Sequence, residues 1–154
     1  MKRNIALATS ILFAVTFVLS MAATAQASDG KHCSKASVAG KWAFTSAGSI
    51  VDIGPLGAVG SFIQDSSGNI TGSETVSLNG AVADETFTAT ATVNSDCTGT
   101  DVFQVYESGV LVRTSTLNLV YDDNGRKARA IFTSIVLPNG IALLPILTVD
   151  AEQL

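Results

Sequence analysis

Histidine, basic residues and cysteine are scarce in this chain of 154 residues, and each scarcity excludes a class of function. His32 is the only histidine, so serine–histidine catalysis lacks a base near any predicted centre. Nine Lys and Arg residues stand against thirteen Asp and Glu residues, and only 126–129 holds a basic cluster, beside a turn. Phosphate-binding surfaces need clustered cations. The sequence therefore predicts no nucleic-acid partner, and it also contains neither a Gly-rich phosphate loop nor G-x-S-x-G.

The first 27 residues have the three parts of a secretory signal peptide. Lys2 and Arg3 precede the apolar run 5–21, and small residues follow, ending at Ala25 and Ala27. The alternative is a transmembrane anchor, but polar residues interrupt the run. We expect cleavage after Ala27, a secreted or periplasmic protein, and no membrane attachment afterwards. Loss of two of the nine basic residues leaves seven against thirteen acidic ones, a formal charge of about −6 that suits one soluble domain.

Cys33 and Cys97 are the only cysteines. In an exported chain, two cysteines predict one disulfide. It would tie residues 28–39 to the loop after a strand at 82–93. A metal site is the alternative, but His32, Cys33 and Cys97 lack the paired spacing of zinc ligands. We expect no metal and no cofactor.

The chain after the signal peptide alternates apolar and polar residues with period two, which is typical of β-strands. Short turns rich in Gly and Asn separate the segments and favour antiparallel hairpins. The alternation predicts eight strands: 40–48, 55–64, 69–78, 82–93, 99–107, 110–121, 127–137 and 141–149. An up-and-down meander of this kind hides its edges by closing into a barrel, with a β-sandwich as the alternative. Residues 40–154 are thus predicted to form a single all-β barrel domain.

The last predicted strand, 141–149, is apolar on both faces. We expect it to close the barrel by pairing with the first strand, although Pro145 removes one backbone donor. If the strand is exposed instead, it is an interface and the protein is an oligomer.

A row of threonines alternates with apolar residues in the fourth strand. Thr86, Thr88, Thr90 and Thr92 fall on one face, and 87–93 supplies the other. A flat threonine lattice can bind ice or a polysaccharide, but it needs several stacked rows. Threonine is also common on the solvent face of strands. We interpret the row as the outer face.

Glu74 breaks the alternation of its own strand. It falls on the apolar face of 70–78, where a carboxylate must find a partner, change its pKa or reach water in a cavity. Arg113 falls on a largely apolar face of 110–121. Gln104 and Tyr106 share a face of 99–107 whose direction the pattern leaves open. These four residues are the candidate ligand-binding residues, because a few polar groups in an apolar pocket are typical of small-ligand sites. The alternatives are a structural ion pair or a bulge that turns Glu74 outwards.

Residues 40–42, Gly-Lys-Trp, resemble the Gly-x-Trp motif that opens lipocalins, whose fold is an eight-stranded ligand-binding barrel. The segments 40–44, 57–60, 68–73 and 96–100, in that order, resemble a group of small secreted bacterial proteins of unknown function. Barrels of the allene oxide cyclase and dirigent type are a structural analogue. These resemblances imply a barrel fold and no catalytic residue, because fold alone does not give function.

Three functions are consistent with the sequence. The leading hypothesis is a secreted barrel that binds a small, partly apolar ligand. The second is a structural or surface-interaction protein with a filled core. The third is an enzyme that uses an internal carboxylate. The volume inside the barrel separates the first and third from the second.

Overall fold

The computed structural model describes residues 32–154, so the predicted signal peptide lies outside the described residues. The described part contains nine β-strands and no α-helix, and a short 3₁₀ turn covers Asp123–Gly125. The strands are β1 (Gly40–Ile50), β2 (Gly54–Gln64), β3 (Asn69–Leu78), β4 (Ala81–Val93), β5 (Thr98–Glu107), β6 (Val110–Asp122), β7 (Lys127–Val136), β8 (Ala142–Leu143) and β9 (Pro145–Gln153).

Antiparallel pairing runs through the strands in chain order and then closes. Strands β1 to β7 each pair with the next, β9 pairs with β7, and β9 also pairs with β1. The predicted up-and-down barrel of eight strands is confirmed, and the sandwich alternative is wrong. Within residues 32–154, closure leaves no long unpaired edge, which protects a sheet from edge-to-edge association.

The closing strand is divided in two. β8 pairs with the end of β7, and β9 begins at Pro145, where the missing backbone donor does least harm to the ladder. The predicted pairing with the first strand is confirmed in the register Ile50 to Pro145. Leu144 and Ile146 keep about two thirds of their surface exposed, at 65% and 64%.

Tight turns join the strands because their residues accept a positive φ. Asn79 and Gly80 have φ of 49° and 88°, and Ser108 and Gly109 have φ of 50° and 80°. Two consecutive residues of positive φ form the hairpin turn whose twist matches that of the flanking strands. The turn signals read in the sequence therefore form the hairpins expected of them.

The alternation of β4 separates the two faces of the wall. Phe87, Ala89 and Ala91 are buried inside the barrel, whereas the four threonines between and beside them are exposed. The interpretation of the threonine row as the outer face is confirmed.

The N-terminal segment closes one end of the barrel. Cys33 forms the predicted disulfide with Cys97, in the loop between β4 and β5. Val38 is fully buried against Trp42 and Tyr121, and the Trp42 Nε1–H donates a hydrogen bond of 3.1 Å to the Val38 carbonyl. The other end is filled by an apolar cluster around Ile50, Ile135 and Leu147. Any site inside the barrel must lie between these two apolar ends.

Candidate functional site

Two acids and one base meet inside the wall formed by β3, β4 and β6. Arg113 contacts Glu74 through Nη2 at 2.9 Å and Glu85 through Nη1 at 2.6 Å. Only 18%, 10% and 6% of the side chains of Arg113, Glu74 and Glu85 are exposed. We call these three residues the ion cluster. Sequence analysis predicted that Glu74 and Arg113 face inwards, and the barrel brings them together.

Local backbone geometry explains how the ion cluster forms. Glu74 and Glu85 are direct cross-strand partners, so their side chains leave the same face side by side. Between β5 and β6 the register shifts, since Val105 pairs with Arg113 but Tyr106 pairs with Leu111. Such a bulge re-aims the side chains next to it. Arg113 thereby shares the inner face with Val105 and reaches both carboxylates.

Burial determines the protonation of Glu74. Desolvation raises the pKa of its carboxyl to about 7, the positive charge of Arg113 opposes this rise, and the nearby Glu85 adds to it. One guanidinium thus serves two carboxyls, and Glu74 holds its proton more readily than an ordinary glutamate does.

A second polar group lies in β5, β2 and β6. Asp101 is 8% exposed, and burial alone raises the pKa of its carboxyl to about 7. Burial, and then the charge of Asp101, raises the pKa of the Tyr121 hydroxyl, and Gln64 lines the same space. Ser115 is 1% exposed on the same inner face. We call Asp101, Gln64, Tyr121 and Ser115 the Asp101 group.

Four phenylalanine rings pack against one another in the apolar interior. The ring centroid of Phe44 lies 6.0 Å from that of Phe62 and 5.9 Å from that of Phe87, and Phe87 lies 5.4 Å from Phe103. Tilted and edge-to-face pairs at these distances are favourable. Glycines make room for the rings, because a Cβ at Gly60 would lie 2.7 Å from the Phe44 ring.

Replacing Gly72 with alanine is expected to lower the free energy of unfolding by about 1–3 kcal/mol. The new Cβ would lie 2.5 Å from the Phe87 ring and 2.5 Å from the Ser61 carbonyl oxygen, which is backbone and cannot swing away. Gly57→Ala is the matched control, since its Cβ would meet nothing closer than 4.0 Å. Urea unfolding of both variants tests this, and equal stabilities would contradict it.

A cavity of about 80 Å³ lies among these groups. Its lining contains these four phenylalanines and Phe132, two members of the ion cluster and the whole Asp101 group, with Trp42 at one end. A dry cavity of about 150 Å³ holds benzene. The space therefore suits a molecule of a few non-hydrogen atoms, and a larger ligand would have to move the side chains around it.

Several buried polar atoms in the described part of the chain have no hydrogen-bond partner within the protein. Four of them belong to residues that line the cavity: Ser46 Oγ, Gln64 Nε2, Asp101 Oδ1 and Ser115 Oγ. Glu85 Oε2, in the ion cluster, is a further buried atom without a partner. Because buried polar atoms are nearly always paired, these atoms require partners that the protein itself does not supply.

The other two candidate ligand-binding residues lie elsewhere. Gln104 pairs with the exposed Thr88, and Tyr106 pairs with the exposed Thr86, so both stand on the outer face. The Tyr106 hydroxyl donates to Gln104 Oε1 at 3.2 Å. Their expected place in the interior is therefore corrected. Phe103 and Val105 occupy the inner face of β5 instead, since they pair with the buried Ala89 and Phe87.

Sequence reasoning missed Glu85 and Asp101. Glu85 continues the inward row of Phe87, Ala89 and Ala91 by one step, so the alternation could have found it. Asp101 shares its face with Phe103 and Val105, and the pattern of β5 alone did not say which face turns inwards.

The described residues contain no group of three or more His, Cys, Asp or Glu side chains positioned to hold a metal ion. In the same part of the chain, no helix is long and apolar enough to cross a membrane.

Fold and interior together define a closed antiparallel barrel with a mostly apolar, aromatic-lined cavity that holds a few polar groups. Comparisons of the chain with known protein families, with curated proteins and with solved structures found no match. The barrel that the sequence resemblances imply is present, and membership of any of those families stays a prediction.

Burial of Asp101 predicts a stability that falls as the pH rises. A carboxyl whose folded pKa lies above its unfolded value stabilises the fold fully at low pH and loses that contribution as the pH passes the folded pKa. The pKa of the Asp101 carboxyl rises from 3.8 to about 7. Between about pH 5 and about pH 8, ionisation of Asp101 should therefore lower the free energy of unfolding by roughly 2–3 kcal/mol. The raised pKa of Glu74 should lower it further over the same range.

Urea unfolding at both pH values measures this loss. Asp101→Asn should reduce the slope, whereas Asp150→Asn, at an exposed carboxylate, should leave it unchanged. A parent protein equally stable at both pH values would contradict the prediction.

Proposed function

We propose that the protein is a secreted or periplasmic barrel that binds a small, partly apolar ligand in its interior. The observation that carries this proposal is the cavity, whose lining combines five phenylalanine rings with residues that hold four unpaired, buried polar atoms. Small-ligand sites have this composition, with an apolar surface and a few placed polar groups. A ligand that pairs the orphaned atoms would remove the penalty of leaving them unsatisfied.

Export is proposed from two features. The disulfide between Cys33 and Cys97 is of a kind that persists in oxidising compartments. The basic and apolar beginning of the sequence agrees with a signal peptide.

Glu74 and Arg113 line the cavity, and we assign them a supporting role in binding. Both terminal nitrogens of Arg113 already contact carboxylates, so its positive charge is shared by two acids before any ligand binds. The ion cluster sets the charge at one side of the cavity. Direct hydrogen bonds to the ligand fall to the residues with unpaired atoms.

A structural module without a ligand is the second candidate. The small volume of the cavity and the apolar clusters at both barrel ends favour it. Association through the exposed Leu144 and Ile146 would fit such a role, and an oligomer stays a prediction.

Native mass spectrometry of the protein purified from its own host separates the two candidates. A binding protein should carry a small co-purifying mass that is absent from Ala130→Leu, which fills the cavity lining. Thr90→Val, on the outer face, is the control and should keep the mass. No bound mass, together with no change in melting temperature across a panel of small metabolites, would rule out the binding function.

A further inference from the structure

Asp101 is the interior acid without a cation beside it. The only interior guanidinium in the described part of the chain belongs to Arg113, which is engaged by Glu74 and Glu85. Asp101 pairs with Leu117, whereas Arg113 pairs with Val105, four residues further along β5. Four residues of strand span about 13 Å, so Arg113 does not neutralise Asp101.

Two kinds of group line the space on the side of Asp101: polar side chains with unpaired atoms, and aromatic rings. Ser115 lies two residues from Leu117 on the same face, which makes it a diagonal neighbour of Asp101. Its hydroxyl, the Gln64 amide nitrogen and Asp101 Oδ1 all lack partners. The rings of Phe87 and Phe103 continue the lining from this group. An acceptor oxygen and a hydroxyl therefore lie beside aromatic surface in a confined space.

The charges facing the cavity favour a cation. Among the residues that line it, Glu74 and Asp101 are acidic and Arg113 alone is basic, while Tyr121 remains a neutral phenol. An anion would meet two carboxyl groups, whereas a cation supplies a counter-charge for Asp101. Aromatic rings add attraction for a cation in a desolvated site.

We propose that the ligand carries a protonated amine, and that Asp101 binds this ammonium group while the apolar remainder lies among the phenylalanine rings. This inference rests on the proposed function of ligand binding in the cavity. The volume of about 80 Å³ limits the ligand to a short chain with one amine.

Binding of an ammonium ion also changes the protonation of Asp101. Without a counter-charge the buried carboxyl tends to keep its proton, since burial disfavours the ionised form. Beside an ammonium group it ionises and accepts charge-assisted hydrogen bonds. At mildly acidic pH, binding should therefore release a proton to the solvent.

Three probes of matched size test the charge of the ligand. Propylamine, 1-propanol and propionate differ chiefly in the group at one end, and each is titrated by NMR with amide shifts of β5 and β6 as the signal. Propylamine should bind at least tenfold more tightly than either of the others. Calorimetry in buffers of different ionisation enthalpy should detect the released proton.

Variants locate the binding group. Asp101→Asn should weaken propylamine at least tenfold and abolish proton release, with little effect on 1-propanol. Asp150→Asn removes an exposed carboxylate and controls for amines that collect on an acidic surface. It should leave the affinity unchanged.

The contrary outcomes are distinct. Equal affinity for 1-propanol and propylamine would contradict the proposal that the ligand carries an amine, but it would still support ligand binding in the cavity. Preference for propionate would mean that Arg113 controls binding, and unchanged affinity in Asp101→Asn would overturn the assignment to this residue. If none of the three probes binds and no ligand co-purifies, both the proposal of an amine ligand and the proposed ligand-binding function are wrong.

Discussion

Replacing Arg113 with methionine is expected to lower the free energy of unfolding by about 3–5 kcal/mol at neutral pH. The substitution keeps an unbranched chain of similar length but removes the guanidinium from between Glu74 and Glu85. Two carboxyls would then share a buried space with no counter-charge. Breaking one partner out of a buried ion network has a large cost because the remaining charge can neither reach water nor find another partner.

Arg129→Met is the matched control for this substitution. Arg129 is 71% exposed and lies 3.7 Å from Asp122 and from Asp150, so its loss should change stability by less than about 1 kcal/mol. The triple variant with Arg113→Met, Glu74→Gln and Glu85→Gln should recover part of the lost stability, because it buries no charge. Urea unfolding of all three variants gives the comparison. Similar losses for Arg113→Met and Arg129→Met would contradict the buried network.

Opening the disulfide is expected to lower the free energy of unfolding by about 4 kcal/mol. Cys33 and Cys97 are 64 residues apart in sequence, so the bridge closes a long loop and restricts the unfolded chain. The bridge also holds the segment that carries Val38 onto Trp42. Its loss should therefore expose the indole ring and shift its fluorescence.

The double variant Cys33→Ala, Cys97→Ala measures this contribution. The parent protein should lose stability on reduction to about the level of the variant, and the variant itself should not respond to the reductant. Thiol labelling of the unfolded, unreduced parent should find no free thiol. Two reactive thiols, or a variant as stable as the oxidised parent, would contradict the prediction.

The strands could be located from sequence because their information is local. Turns such as Asn79-Gly80 and Ser108-Gly109 contain residues that accept a positive φ, and the alternation between turns has period two. The observed strands begin and end within a few residues of the predicted ones, except in the last strand. There Pro145 divides the ladder into β8 and β9, and β9 continues to Gln153. Where a final strand ends depends on its two neighbours rather than on its own pattern.

The site was less predictable, because the sequence of one strand does not always show which of its faces turns towards the barrel interior. The neighbouring strands decide this. The pattern of β4 set its apolar face inwards without ambiguity. In β5 both faces carry aromatic and aliphatic residues, so the pattern leaves open whether Gln104 and Tyr106 face the interior, and the inner face holds Asp101 and Phe103 instead. The orientation of β5 follows from its pairing with β4, in which Gln104 lies opposite Thr88 and Phe103 lies opposite Ala89. That register comes from assembly of the sheet.

The sequence by itself determined the all-β architecture, the meander of hairpins, the pairing of the only two cysteines and the inward direction of Glu74. Each follows from the residue types in one short segment or, for the disulfide, from the absence of any other thiol. Only the tertiary structure decided that Arg113 contacts two acids, that Asp101 is buried without a cation, and that a small cavity joins them. These properties depend on distances between strands far apart in the chain, and such distances are fixed only when the barrel closes.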